Sequence, residues 1–255
     1  MPESKFYHFS EKGLFYSVKT AEDAVSSIKE GGFVWLNFYQ PSREDLSSLV
    51  DLIGIHPLSV EDCFDDNQVP KIEYFTENSF IIFNAYDYSE KTLCIDEINL
   101  FIGKNYLITV SGHNSGQRNP LADIYEVVEN ELSQARSGPD FLMHIVLDHI
   151  VDQKYKAFDE MEDELEEAEE LLVSNVEKFQ PVQLIRLRKE LMMLRKSIFH
   201  EREILVKICR MDCPFVSKKA IVHYRDIYDH LAKFFELNET YREIETSLME
   251  LYTSL

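Results

Sequence analysis

Pro139-Asp-Phe-Leu-Met-His-Ile-Val-Leu-Asp-His-Ile-Val-Asp-Gln-Lys-Tyr155, continuing through an acidic run from Asp159 to Glu170 as far as Val173, is the stretch that sets the architecture. Phe141, Ile145, Val151 and Tyr155 recur at helical spacing and line one face. No strand accommodates such a period, so a helix of about 35 residues is expected over 139–173. Two more follow, over 182–209 and 217–255, with Asn175, Pro181 and Pro214 as breaks. The third would be about 58 Å long at 1.5 Å per residue. It reaches Leu255 without a capping glycine or proline, which predicts that the protein continues past this sequence.

Residues 1 to about 116 read differently. Phe6 to Phe9 and Leu14 to Val18 flank a Glu-Lys-Gly turn, and Phe33-Val-Trp-Leu-Asn-Phe-Tyr39 follows the helix-ending Gly31-Gly32. Ser42 with Asp45 three residues on is a capping-box start for a helix over 43–53 that Gly54 would stop. Pro57 opens a short helix to about Phe64. Strands over 72–75, 79–88, 94–102 and 106–111 come next, then a helix from about Pro120 to Ala135. The fold class is therefore α+β: a mixed sheet sandwiched by helices (α/β/α) in a region 1–136, followed by long antiparallel helices and a long stalk helix in a region 137–255.

With 26 Lys and Arg against 46 Asp and Glu, the chain carries a formal charge of −20. That field opposes nucleic acid and anionic membranes and makes cations the natural partners. The four cysteines are scattered without a zinc-ribbon or CxxC spacing and read as reduced cytosolic thiols. The N-terminus has no apolar leader, and no window approaches the roughly 18 apolar residues of a membrane span, so the chain is expected to be soluble.

GxSxG, GxGxxG, P-loop and HExxH motifs are all missing, and eight glycines leave little for phosphate-cradling loops, so an enzyme is not expected. The carboxylates say more. Asp148 falls within the apolar stripe, where an acid needs a partner. A salt bridge or helix-end contact would serve, and so would a metal ion or proton at a packed interface. His223, Asp226, Asp229 and His230 share one face of the last helix. They are either exposed surface groups or a divalent-cation array. Nine of the twelve residues from Asp159 to Glu170 are acidic, either a solvated face or a diffuse cation-attracting surface. Arg186, Arg188, Lys189, Arg195 and Lys196 populate the next helix, and an antiparallel hairpin would set the two signs against each other.

His56-Pro-Leu-Ser-Val-Glu-Asp62, Gln68-Val-Pro-Lys-Ile-Glu73 and Tyr224-Arg-Asp-Ile-Tyr-Asp-His-Leu231 resemble motifs of the CorA magnesium transport family, whose order of α/β region and long helices is also the same. Val69 stands where that family often has arginine. The resemblance implies the cytoplasmic domain of a homopentameric Mg2+ channel at the cell membrane. The two membrane helices with their Gly-Met-Asn pore signature would lie outside this sequence, which would not conduct ions alone. It further implies regulatory divalent cations bound between neighbouring protomers, favouring the closed state. Glu61 and Asp62 of one protomer would face Asp226 and His230 of the next, with Asp148 as a further ligand. Asp148, Asp226 and His230 are also singled out by helix spacing. Mg2+ is the expected ion, with Co2+, Ni2+ or Zn2+ as alternatives. The related zinc-transporting branch, with His223 and His230 as ligands, is the alternative function, and a metal-dependent hydrolase using His223, Asp226 and His230 a more distant one.

Overall fold

The computed structural model describes residues 4–11, 15–65, 68–112, 119–131 and 137–254. Its strands are β1 (Lys5–Phe9), β2 (Phe15–Val18), β3 (Phe33–Tyr39), β4 (Lys71–Tyr74), β5 (Asn78–Ser89), β6 (Thr92–Gly103) and β7 (Tyr106–Ser111). They form one sheet in the order β2-β1-β3-β7-β6-β5-β4. The β3–β7 pair is parallel and the others antiparallel, so the sheet is mixed, as expected. Alternation along the strands supplies two apolar faces. Phe80 and Ile82 look to one side with Leu36, Ile108 and Val110, whereas Ile81 and Phe83 look to the other with Trp35 and Leu107.

The first face is covered by α1 (Ala21–Ser27), α2 (Arg43–Ile53) and α3 (Pro57–Asp62). At α2 the Ser42 hydroxyl accepts the Asp45 N–H at 3.1 Å, and the Asp45 carboxylate accepts the Ser42 N–H at 2.8 Å. Gly54 ends the helix at φ +75°, in the left-handed region where glycine has no Cβ penalty. The helix expected from Pro57 to Phe64 stops at Asp62, and a turn follows.

On the second face lie α4 (Ile124–Asn130), α5 (Pro139–Ser174), α6 (Val182–Cys209) and α7 (Ile221–Ser254). One continuous apolar core joins that face of the sheet to the long helices. α4 is shorter than the helix expected from Pro120 to Ala135; residues 120–123 form turns, and Ala135 is outside the described residues. The last helix begins at Ile221, four residues later than expected. Asp140 accounts for this: its Oδ2 accepts the Ser217 N–H at 2.9 Å, and its carbonyl accepts the Tyr224 hydroxyl at 2.6 Å. The turn after Pro214 is thereby pinned to the start of α5, and α7, with 34 residues, is about 51 Å long.

α6 returns antiparallel to α5, and α7 packs against both. The expected matching of opposite charges holds at one position. Arg186 pairs with Glu164, which is buried and also bonded to the Tyr88 hydroxyl and to Gln183. Arg195 turns instead to Glu239 of α7 at 2.8 Å. The other eight acids of the run are exposed, so most of it is a solvated face.

A fully buried ion pair fastens the helices to the sheet. Lys154 of α5 and Glu201 of α6 meet at 2.6 Å, and neither side chain has any exposed surface. Glu201 also accepts the Asn84 backbone N–H of β5 at 3.0 Å, while the Lys154 ammonium lies 3.9 Å from the centre of the Tyr86 ring. Burial pulls the ammonium down to about 8 and pushes the Glu201 carboxyl up, and the contact between them opposes both. Replacing Lys154 with methionine should strand the carboxylate and cost about 3–5 kcal/mol in urea unfolding. Adding Glu201→Gln, which keeps an acceptor for Asn84, should restore most of that loss; equal losses in both variants would show that lysine packing, and not charge, is what matters.

Candidate functional site

Asp148 is half-buried on the stripe of α5 that faces α7. Its neighbours there are aromatic and imidazole rings. Phe141 lies 5.5 Å from His223 between ring centres, and Tyr155 packs on Phe234 at 4.5 Å. The Tyr155 hydroxyl and His230 Nδ1 are hydrogen-bonded at 2.7 Å, which orients the imidazole so that Nε2 lies 3.7 Å from the Asp226 carboxylate. Tyr155 thus bonds one nitrogen of His230 across the two helices, while Asp226, exposed on the same helix as His230, lies near the other. On each helix residues at i, i+3 or i+4 steps share a face, which puts these polar groups along one seam among apolar residues.

The electrostatics of this seam favour a cation. Burial pushes the Asp148 carboxyl up to about 6; Asp152, Glu131 and Asp226 push the same way, and His230 opposes them. One turn earlier on α5, His144 is buried beside His223 with ring centres 4.9 Å apart. Burial first, and then the neighbouring imidazole, pull His144 down to about 4, so it is neutral at pH 7.

Glu61 and Asp62 lie elsewhere, at the end of α3 on the opposite face of the sheet. The His56 ring caps that helix by accepting the Leu58 N–H at 3.2 Å, and Pro57 occupies its first turn. Glu61 is exposed, and Asp62 is paired with Lys71 at 2.7 Å. One chain therefore brings Asp148, Asp226 and His230 to one seam but leaves Glu61 and Asp62 apart from them. No three His, Cys, Asp or Glu side chains gather in a metal-holding arrangement among the described residues. Of the remaining candidates, Asp229 is exposed and His223 half-buried. Sequence reasoning placed Tyr155 on the stripe with Asp148 but missed His144, although it stands four residues before Asp148.

The architecture is thus a mixed sheet with helices on both faces, joined to three long helices. Residues 30–255 match the family model described as CorA-like Mg2+ transporter protein, and the chain belongs to that family. It is 27% identical over 228 residues to the cobalt/magnesium transport protein CorA of Thermotoga maritima, covering 86% of this chain and 63% of that one. The soluble domain of CorA from Methanocaldococcus jannaschii superposes with a TM-score of 0.78 at 23% identity, covering 99% of this chain and 97% of that chain. The ZntB cytoplasmic domain of Vibrio parahaemolyticus shares the fold at 0.76 and 13% identity, covering 100% and 98%. The family is one of transporters and not of enzymes. No helix among the described residues is long and apolar enough to cross a membrane.

The raised Asp148 carboxyl has a signed consequence for the metal-free protein. Folded Asp148 stays protonated after its unfolded counterpart has ionised, so it opposes folding increasingly as pH rises from 3.8 to about 6, and fully above that. His144 acts oppositely in the same window, losing stability as pH falls from 6.5 to about 4, but both wild type and Asp148→Asn retain it. In chelator, the stability advantage of Asp148→Asn should therefore be near zero at about pH 4 and grow to a plateau above about pH 6. Urea unfolding across that range measures it, and a pH-independent gap would show that Asp148 is not charged at the expense of folding.

Proposed function

We propose that this chain is the cytoplasmic, divalent-cation-sensing part of a CorA-type Mg2+ channel that acts as a homopentamer in the cell membrane. In this reading Mg2+ bound between copies favours the closed state. The reading rests chiefly on the half-buried Asp148, which sits with Asp226 and His230 on one seam while Glu61 and Asp62 lie on the far face of the sheet. Two acidic faces that cannot meet within a chain can meet between neighbours. Carboxylates brought together there repel until a hard cation neutralises them, and oxygen donors are what Mg2+ requires. The ion supplies charge neutralisation; the chain supplies a seam whose carboxyl groups are already crowded. Falling cytosolic Mg2+ would restore the repulsion and loosen the ring, shifting the population towards the open channel.

Glu61, Asp62, Asp148, Asp226 and His230 are the proposed ligands, with Asp226 central. Four of the five are carboxylates, which favours Mg2+ over Zn2+ as the regulatory ion. The likeness to the ZntB domain is no greater than that to the CorA domain.

Thermal melts test the assignment. In millimolar Mg2+ at concentrations where the chains associate, the wild type should gain about 1–3 kcal/mol over its value in chelator, as mass action requires for a ligand of the native state. Asp226→Asn should lose most of that gain and be as stable as wild type, or slightly more so, in chelator. Equal Mg2+-dependent gains in the two proteins would remove Asp226 from the site.

A further inference from the structure

The seam between α5 and α7 contains polar groups that the sensing site does not use, His144 and His223 among them. His144 is 7% exposed, and its Nδ1 has no hydrogen-bond partner among the described residues. A buried ring nitrogen left unpaired is costly, so native structures rarely retain one without a purpose. The His223 ring stands across the seam, its centre 4.9 Å from that of His144 and its plane turned by 53°. Two imidazoles bound to a common metal at about 2.0–2.1 Å place their ring centres roughly 4.5–5 Å apart. The ring centres of the pair are therefore at the separation of two imidazoles on one ion.

We infer that His144 and His223 form a site for a borderline transition-metal cation, Zn2+, Co2+ or Ni2+, held within a single chain between α5 and α7. His144 comes from the buried side of the seam. His223 is half-buried, so ligands other than protein, water above all, have access to the remaining positions. The neutral state imposed on His144 by burial keeps one ring-nitrogen lone pair available at neutral pH. Asp226, three residues after His223, lies close enough to act on the charge of His144 and supplies a negative field that favours the ion. Neutral imidazole nitrogen suits these metals and is a poor match for Mg2+. The site thus differs from the proposed sensing site in donor chemistry and in needing no second copy, and it does not depend on that proposal.

Titration of the metal-free chain with Zn2+, at a protein concentration where it is monomeric, tests this. One Zn2+ should bind per chain, with NMR signals of the His144 and His223 ring carbons shifting together. His144→Ala and His223→Ala should each weaken binding at least about tenfold, the loss expected from removing one of two protein ligands. His200→Ala, outside the seam, should bind as the wild type does. His223→Ala removes a half-buried side chain and serves as the deciding variant if His144→Ala does not fold. Unchanged Zn2+ affinity in folded His223→Ala, or Zn2+ shifts confined to other histidines, would overturn the inference.

Discussion

The buried pair between Lys154 and Glu201 is the constraint on which the arrangement of the long helices depends. An isolated charge in that position would be untenable, so α5 and α6 must register with each other to within the reach of one hydrogen bond. Because Glu201 also accepts the Asn84 N–H, the same contact fixes both helices against β5. A purely apolar seam would tolerate sliding by a turn, since Leu, Ile and Val differ little in what they require. With α5 so held, its other stripe, bearing His144, Asp148 and Tyr155, is presented to α7.

Functional chemistry follows from where that leaves the carboxylates. The chain has a formal charge of −20, and its crowded acids differ in how far water screens them. At Asp148 burial first, and then crowding by neighbouring acids, leaves a carboxyl that ionises reluctantly. At Asp62 it is relieved locally by Lys71. The two faces therefore differ in their need for a cation, and a neighbour's acidic face against the α5–α7 seam would add to the unmet one. In the proposed reading a cation between copies satisfies that need, and weak binding makes the assembly responsive to concentration.

Much of this fold was legible in the sequence. The alternation in β5 to β7, the Ser42–Asp45 capping box with Gly54, and the bounds of α6 at Val182 and Cys209 all correspond to local signals that tertiary contacts reinforce. The start of α7 was not legible, because the Asp140 side chain that holds Ser217 in a turn lies 77 residues away. Nor was the buried pair, because lysine and glutamate read as surface residues. A signal existed: Lys154 continues the core positions Leu147, Ile150 and Phe158, and Glu201 continues Leu194, Ile198 and Leu205. Asp148 stood out for the same reason, an acid in an apolar stripe. Glu61 and Asp62 were suggested only by the family resemblance, since nothing in their spacing distinguishes them from other acids.

Complementation between variants tests the central claim, that the cation site is completed by two copies, most directly. Asp62→Asn and Asp226→Asn chains each damage one of the two faces, and a mixed assembly contains interfaces where both faces are intact. Sedimentation velocity in millimolar Mg2+ should show weak association for each variant alone and markedly stronger association for an equimolar mixture. A mixture that associates no better than the average of its components would contradict a site shared between neighbours.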